Sequence, residues 1–550
     1  MEQTAIRQTY PREWLRFDVV AGLTAAAVVV PKGMAYATIA GLPVQVGLYT
    51  VFVPMVIYAL LGTSRPLSVS TTTTIAILTA AALGAAVPGA DATGLVVAAA
   101  TLSVMVGLVL VLAWALRLGF VANFISEPVL VGFKSAIGLV VVVDQLPKLL
   151  GIHVTKTGFL RDIVALAGHV PDASLVTVVL SVAMLVLIFG LEHFAPKAPA
   201  PLVAVGAAIA VSALVGLPAL GVATVGEVPR GLPPLTLPNL AIVEAMWPAA
   251  VGIALMSFTE SIAAGRAFAA TGEPRPLPNR ELLALGLANA GGGLLAAMPA
   301  GGGTSQTAVN RLAGAKSQVS ELVTAAAALA TLLLLAPYIA WMPQAALAAV
   351  VIVYSFELIQ PSEFREIRRV RRTEFRWAII AFAGVVLLGT LQGIVVAVIV
   401  SLVSLAHQAY NPPLYAIARK RGTAVFRPAG AHPDDESWPR LLPLRLDGRL
   451  FFANAQAVSD MIWALKEQSG PQVVVLDCRA VVDVEYTALK VLAELEDKLR
   501  RDGCEFWLAG MTPAVFAVME RSEIGARLGR ERMFLNMQAA VEKFEQRGSA

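Results

Sequence analysis

Apolar runs broken by short polar stretches divide most of the chain into fourteen segments. They lie near 17–37, 45–61, 72–88, 94–116, 120–145, 173–192 and 200–218, then 246–270, 281–297, 304–313, 317–337, 343–358, 375–391 and 393–410. Residues 322–356 and 377–418 hold no Asp, Glu, Lys or Arg, and each run exceeds the roughly 20 residues that span a bilayer. A polar, proline-rich stretch at 221–243 separates seven segments from seven. Two segments are poor full spans, because they open on small polar residues, SVSTTTT from 68 and GTSQT from 303. They occupy matching places: Lys32 precedes Thr72 by 40 residues and Glu260 precedes Ser305 by 45. Short, polar-headed segments at corresponding positions of two halves point to a transporter built from inverted repeats, with its site at those segments. The alternative is two Ser/Thr-rich helix starts with no shared role.

The polar remainder completes the layout. PSEFREIRRVRRTEFR, after 358, reads as a basic interfacial helix that helps set orientation. Arg7, Arg12 and Arg16 precede the first span and predict a cytoplasmic N-terminus, and the segment has no signal-peptide pattern. NPP at 411 opens a polar linker. From about 441 the periodicity becomes that of an α/β domain: LPLRLDGRLFFAN, QVVVLDCRAV and CEFWLAG read as strands, and TALKVLAELEDKLRRDG as a helix ended by glycine. An even number of spans leaves this domain in the cytoplasm. The expected organisation is therefore 1–16 cytoplasmic, 17–410 transmembrane, 411–440 linker and 441–550 cytoplasmic.

Composition agrees: 57% of the 550 residues are hydrophobic and 15% charged, against about 25% charged in soluble proteins. Mean hydropathy is +0.72. The net charge of +4 does not orient the spans, and no basic groove suggests nucleic acid. Cys478 and Cys504, the only cysteines, read as reduced thiols rather than a disulfide. No zinc-type Cys/His cluster, phosphate loop or catalytic triad is evident, so neither an enzyme nor a metal or cofactor is expected. Two charges inside apolar segments need explanation. Lys32 is the only charged residue between Asp18 and Arg65, and Glu260 the only one between Glu244 and Arg266. Intramembrane charges are costly and usually functional.

PKGMAYATIAGLPVQVGLYTVFVPMVIYALLGTSRPLSVS, ISEPVLVGFKSAIGLVVVVDQLPKLLGI, FTESIAAGRAFA and GTSQTAVNRLAGAKSQVSELV, in this order, resemble the sulfate permease family of anion transporters. VVVLDCRAVVDVEYTALKVL resembles the core of a STAS domain. The resemblance implies a polytopic α-helical protein of 7+7 inverted repeats forming core and gate domains, with a cytoplasmic STAS domain. It implies a homodimer in the inner or plasma membrane, an elevator-like motion, and a substrate held between facing N-termini of the third and tenth helices. Substrates across the family include sulfate, chloride, bicarbonate, oxalate and dicarboxylates.

Physical chemistry suits that site to an anion. Helix N-termini carry unpaired N–H groups and about half a positive charge. Thr71, Thr72, Thr73, Thr304, Ser305 and Thr307 add hydroxyls, and Gly303 with its two preceding glycines allows close backbone approach. Capping and packing remain the competing reading of these residues. Glu260 is either a proton carrier or the partner of a cation, and a purely structural interhelical pair stays open. Many family members have Gln where Lys32 stands, an aromatic where Tyr36 stands, an Arg at Gln306 and an aromatic at Thr72. This pattern predicts that the pocket moved its cation from the tenth helix to the first, so that Lys32 faces the cavity, the anion, Glu260, or both. In the STAS-like region the phosphorylated serine of the antagonist motif falls on Thr487, although packing and dimer support are the preferred role there. The expected function is secondary active transport of a small anion, sulfate first. A proton- or sodium-coupled importer of bicarbonate or a dicarboxylate, an uncoupled anion channel, and a sensor whose spans regulate its cytoplasmic domain are the alternatives.

Overall fold

The computed structural model describes residues 10–123, 126–152, 154, 159–196, 198–270 and 272–548. Arg7 and most of the N-terminal segment 1–16 lie outside them. The chain divides into two units, Met1–Leu402 and Val403–Ala550.

The first unit is helical; each of the fourteen apolar segments is a helix, the first thirteen lying within this unit and the last continuing past Leu402. These are α1 (Leu15–Ile39), α2 (Val44–Leu61), α3 (Thr73–Ala86), α4 (Ala92–Ala115), α5 (Glu127–Leu150), α6 (Leu175–Phe194) and α7 (Ala200–Val215). After the proline-rich stretch come α8 (Val243–Ala267), α9 (Pro278–Leu294), α10 (Thr304–Leu312), α11 (Val319–Ile339, with a π turn at Thr331–Leu335), α12 (Gln344–Phe356), α13 (Arg372–Leu388) and α14 (Thr390–Tyr410). Among the described residues eight helices are long and apolar enough to cross a membrane. The basic run forms a separate helix, Pro361–Val370, whose arginines are exposed. A second short helix, Phe159–His169, lies where the apolar pattern predicts nothing.

Small residues decide the crossings, because helices in lipid associate by close packing rather than by expelling water. A Cβ on Gly47 would lie 2.0 Å from the Gly33 carbonyl oxygen, so α1 and α2 touch backbone to backbone; on Gly107 it would lie 2.6 Å from the Gly286 carbonyl of α9. Two packing groups result. α1–α4 pack with α8–α11, whereas α5 packs with α12, α13 and α6.

The predicted short segments start late for a physical reason. The chain before α3 runs extended as β1 (Val69–Ser70), and that before α10 as β2 (Gly301–Gly302). They pair antiparallel, Val69 with Gly302 and Ser70 with Gly301. Extended backbone within a bundle must find partners, and side chains supply them. The Gly302 N–H donates to Ser261 Oγ (2.7 Å), Ser257 Oγ donates to the Ala300 carbonyl (2.7 Å), and Asn289 both accepts from the Ala300 N–H (2.8 Å) and donates to its carbonyl (3.0 Å). A Cβ on Gly302 would meet Ser261 Cα at 2.9 Å, which is why the position is glycine.

Two buried carboxylates tie the same unit together. Glu281 accepts from Tyr58 (2.8 Å) and from the N–H (2.8 Å) and hydroxyl of Thr63. Asp18 accepts from the N–H groups of Lys316 and Ser317 and from the Ser317 hydroxyl.

The second unit holds a six-stranded sheet ordered β4-β3-β5-β6-β7-β8, built from β3 (Leu414–Arg419), β4 (Phe426–Pro428), β5 (Leu441–Asp447), β6 (Val473–Ala480), β7 (Glu505–Ala509) and β8 (Met533–Phe534). β5 to β8 are parallel and β3 is antiparallel to β5. The helices are α15 (Ala455–Ser469), α16 (Tyr486–Arg501), α17 (Pro513–Glu520), α18 (Glu523–Leu528) and α19 (Met537–Gly548).

Two expectations are corrected. Residues 411–440 are not a linker: they carry β3 and β4, because Ile417 and Phe426 bury in the sheet's core. The strand expected over LPLRLDGRLFFAN ends at Asp447, since Gly448 takes φ +130°, and the following residues lead into α15. Cys478 and Cys504 are free and buried. Burial, reinforced by neighbouring Asp477, pushes the Cys478 thiol up to about 12.

Candidate functional site

The β1–β2 crossing brings the starts of α3 and α10 to one cavity of about 410 Å³, lined by Tyr36, Thr71 to Thr74, Lys134, Glu260, Gly303 to Gln306 and Tyr354, among others. Each helix start has its own device. Thr72 caps α3, its Oγ1 accepting the Ile75 N–H at 3.3 Å. Gly303 is the N-cap of α10, and its N–H donates to the Ser68 carbonyl at 3.2 Å. The Thr71 hydroxyl is fully buried at the cavity wall and has no hydrogen-bond partner, a position that suits a donor waiting for a ligand.

Of the residues singled out in the sequence, Tyr36, Thr71, Thr72, Thr73, Glu260, Gly303, Thr304, Ser305 and Gln306 line this cavity. Three expectations change. Lys32 is not among the lining residues; its ammonium donates to Ser305 Oγ at 3.0 Å and sits 3.5 Å from the Tyr354 ring centroid. Its charge therefore reaches the cavity through a hydroxyl and an aromatic face, both lining residues. Thr307 is spent on structure, its Oγ1 accepting the Ser68 N–H at 3.2 Å. Gln306 lines the wall but is clamped, accepting from Ser70 Oγ (3.0 Å) and donating to the Ser68 carbonyl (2.8 Å). Its amide holds β1 in place, where an arginine could not make the acceptor contact.

The cation beside Glu260 is not Lys32 but Lys134, 3.5 Å away. Thr72 donates to the other carboxylate oxygen at 3.0 Å. Lys134 is the site residue that sequence reasoning missed. A signal existed: it is the lone lysine in the first half of α5, inside the motif FKSAIGL. In the second unit Thr487 is exposed and is the second residue of α16, and nothing described there draws it into a pocket.

A cavity walled by two helix starts, hydroxyls and one unpaired donor, inside a bundle of apolar helices, defines a membrane transporter rather than an enzyme. Comparison with known proteins specifies which kind. The sulfate permease family profile matches residues 15–381 and the STAS domain profile residues 432–540. A protein of Mycobacterium tuberculosis strain H37Rv named "probable sulfate transporter" is 35% identical over 542 residues, covering 98% of this chain and 97% of that one. "Probable sulfate transporter 3.4" of Arabidopsis thaliana is 30% identical over 557 residues, covering 97% and 85%.

The chain belongs to the sulfate permease family: it is an integral membrane anion transporter with a C-terminal STAS domain. Its fold is that of the murine Solute Carrier 26 family member A9 anion transporter in the inward-facing state, with TM-score 0.89, 21% identity, and coverage of 98% of this chain and 93% of that one. The transmembrane domain of a cyanobacterium bicarbonate transporter also aligns, with TM-score 0.62 and 23% identity over 72% of this chain and 98% of that one.

Proposed function

We propose that this protein carries a small oxyanion, sulfate first, across the membrane as a secondary active transporter. The observation that carries the reading is the pair of helix starts, α3 and α10, joined at one cavity with the Thr71 hydroxyl unpartnered beside them. Backbone N–H groups, threonine and serine hydroxyls, and a lysine one hydroxyl away suit a tetrahedral oxyanion better than a cation or a neutral solute. The names of its relatives support sulfate.

In this reading Tyr36, Thr71, Thr72, Thr73, Gly303, Thr304 and Ser305 bind the anion. Lys32 polarises Ser305, and Glu260 couples transport to a proton. Motion is elevator-like, the group α1–α4 with α8–α11 sliding against the group of α5, α6, α12 and α13. The transporter works as a homodimer in the inner or plasma membrane with both termini cytoplasmic. Thr487 stands exposed for modification, although support of the dimer is the role we prefer for its domain.

Uptake of labelled sulfate into proteoliposomes, with chloride, bicarbonate, oxalate and a dicarboxylate as competitors, tests the substrate. Saturable uptake stimulated by internal sulfate supports a sulfate carrier. Sulfate uptake that is absent, or non-saturable and indifferent to internal anion, overturns it. Glu260→Gln should abolish stimulation by an inward proton gradient while exchange persists; an unchanged gradient response refutes proton coupling.

A further inference from the structure

Glu260 does not stand alone in the cavity wall. Lys134, on α5, reaches it across the boundary between the two packing groups, at 3.5 Å, with its side chain still 26% exposed against 6% for Glu260. Both line the cavity. An ammonium in this position has two possible uses, and they exclude one another. It can neutralise the carboxylate, or it can meet the anion.

The surroundings decide when each applies. α5 presents Lys134 and Glu127, α1 presents Tyr36, and the end of α12 presents Tyr354 with Glu357 one turn on. Lys32 stands behind Ser305 and Tyr354, and Glu357, together with Glu192 of α6, acts on it electrostatically. α3 and α4 carry no charge, the arginine of α10, Arg311, is paired with Glu273, and Glu281 of α9 is held by Tyr58 and Thr63. Lys134 is therefore the cation in direct contact with Glu260. While Glu260 is ionised the pair is neutral, and only Lys32 offers the anion positive charge. Once Glu260 takes a proton, Lys134 loses the carboxylate it touches, and its exposed end is at the cavity. The site is then richer by one positive charge.

We propose that Lys134 is a second anion-binding cation, available only when Glu260 is protonated, and that it makes the site select doubly charged oxyanions carried together with a proton. This rests on the anion-site reading above and adds to it a residue and a charge rule. A dianion arriving with a proton meets two cations; a monoanion is satisfied by the unprotonated site. The Thr72 hydroxyl can serve both states, since it donates to the carboxylate and equally accepts from the carboxylic acid.

The test is anion binding by the full-length purified protein at mildly acidic and mildly alkaline pH, with labelled sulfate as the dianion and nitrate as the monoanion. In the wild type the sulfate-to-nitrate affinity ratio should rise as pH falls. Glu260→Gln, which mimics the protonated acid, should hold the high ratio at both pH values. Adding Lys134→Gln to Glu260→Gln removes the cation without stranding a buried carboxylate, so this double variant avoids the folding defect the single Lys134→Gln could suffer. It should lower the ratio about tenfold or more, as befits one charge-assisted contact, and Lys134→Arg in the same background should restore most of it. A ratio equal in Glu260→Gln and the double variant overturns the proposal, as does a wild-type ratio that ignores pH. Failure of the wild type to bind either anion would instead sink the anion-site reading itself.

Discussion

Lys32→Met separates the lysine's contribution to function from its contribution to stability. Lys32 is 2% exposed; its ammonium donates one hydrogen bond to Ser305 at 3.0 Å and rests on the Tyr354 ring. An anion oxygen bonded to Ser305 at about 2.7 Å would lie within about 5.7 Å of Nζ. At an effective dielectric constant of about 20, that separation is worth about 3 kcal/mol. Partial compensation by Glu357 and Glu192, which act electrostatically on the same lysine, lowers it, so about 2–3 kcal/mol is the working figure, or roughly thirty- to 150-fold in affinity. Stability should behave differently. The variant loses a charged hydrogen bond of about 1.5–3 kcal/mol and a cation–π contact of about 0.5–2 kcal/mol, but also sheds a desolvation cost of several kcal/mol. The protein should therefore melt close to the wild type while binding its anion far more weakly. Half-saturation for uptake and thermal unfolding in detergent, measured on the same preparation, check both halves. A variant that binds within twofold of the wild type refutes the electrostatic argument. Adding Gln306→Arg should not rescue it, because the Gln306 amide is committed to Ser70 and the Ser68 carbonyl.

Gly302→Ala should insert and remain folded yet lose transport, since its Cβ would meet Ser261 Cα at 2.9 Å and Leu67 at 2.7 Å and push β2 off β1; retained uptake with wild-type half-saturation would contradict this. Glu281→Ala leaves Tyr58 and Thr63 without their shared acceptor and should cost about 3 kcal/mol or more of stability, seen as a lowered unfolding temperature, whereas Tyr58→Phe should cost about 1–2 kcal/mol. Because burial raises the Cys478 thiol to about 12 and raises Cys504 as well, both stay protonated at neutral pH. A thiol reagent should label neither in the folded protein and both after denaturation.

The helices were legible because lipid imposes one rule on every span: long apolar runs broken by polar residues. The paired short segments were legible for the complementary reason, since SVSTTTT and GTSQT cannot face lipid. Side-chain partnerships were not. Lys32 and Glu260 are the conspicuous charges of their segments, which invites pairing them. Yet the carboxylate's partner is Lys134 from the other packing group, and only the three-dimensional packing brings the two together. Thr307 and Gln306 look like pocket donors by position, but the unwound strand beside them has backbone groups to satisfy and claims them first. The stretch 411–440 reads as a linker because β4 is an edge strand of only three residues, ending at Pro428, and the turn at Gly422 separates it from β3.

The pairing of β1 with β2 also governs how the protein can be made. Val69 must wait for Gly302, which leaves the ribosome some 230 residues later. At about 5–20 residues per second, that delay is on the order of 10–50 s. Throughout it the extended backbone at 69–70 has no strand to pair with, and Ser68 lacks both Thr307 and Gln306. The first seven helices are thus not a folded half awaiting a second. They form an unfinished assembly whose central polar seam must stay in water, or in the keeping of the insertion machinery, until residues 301–307 arrive.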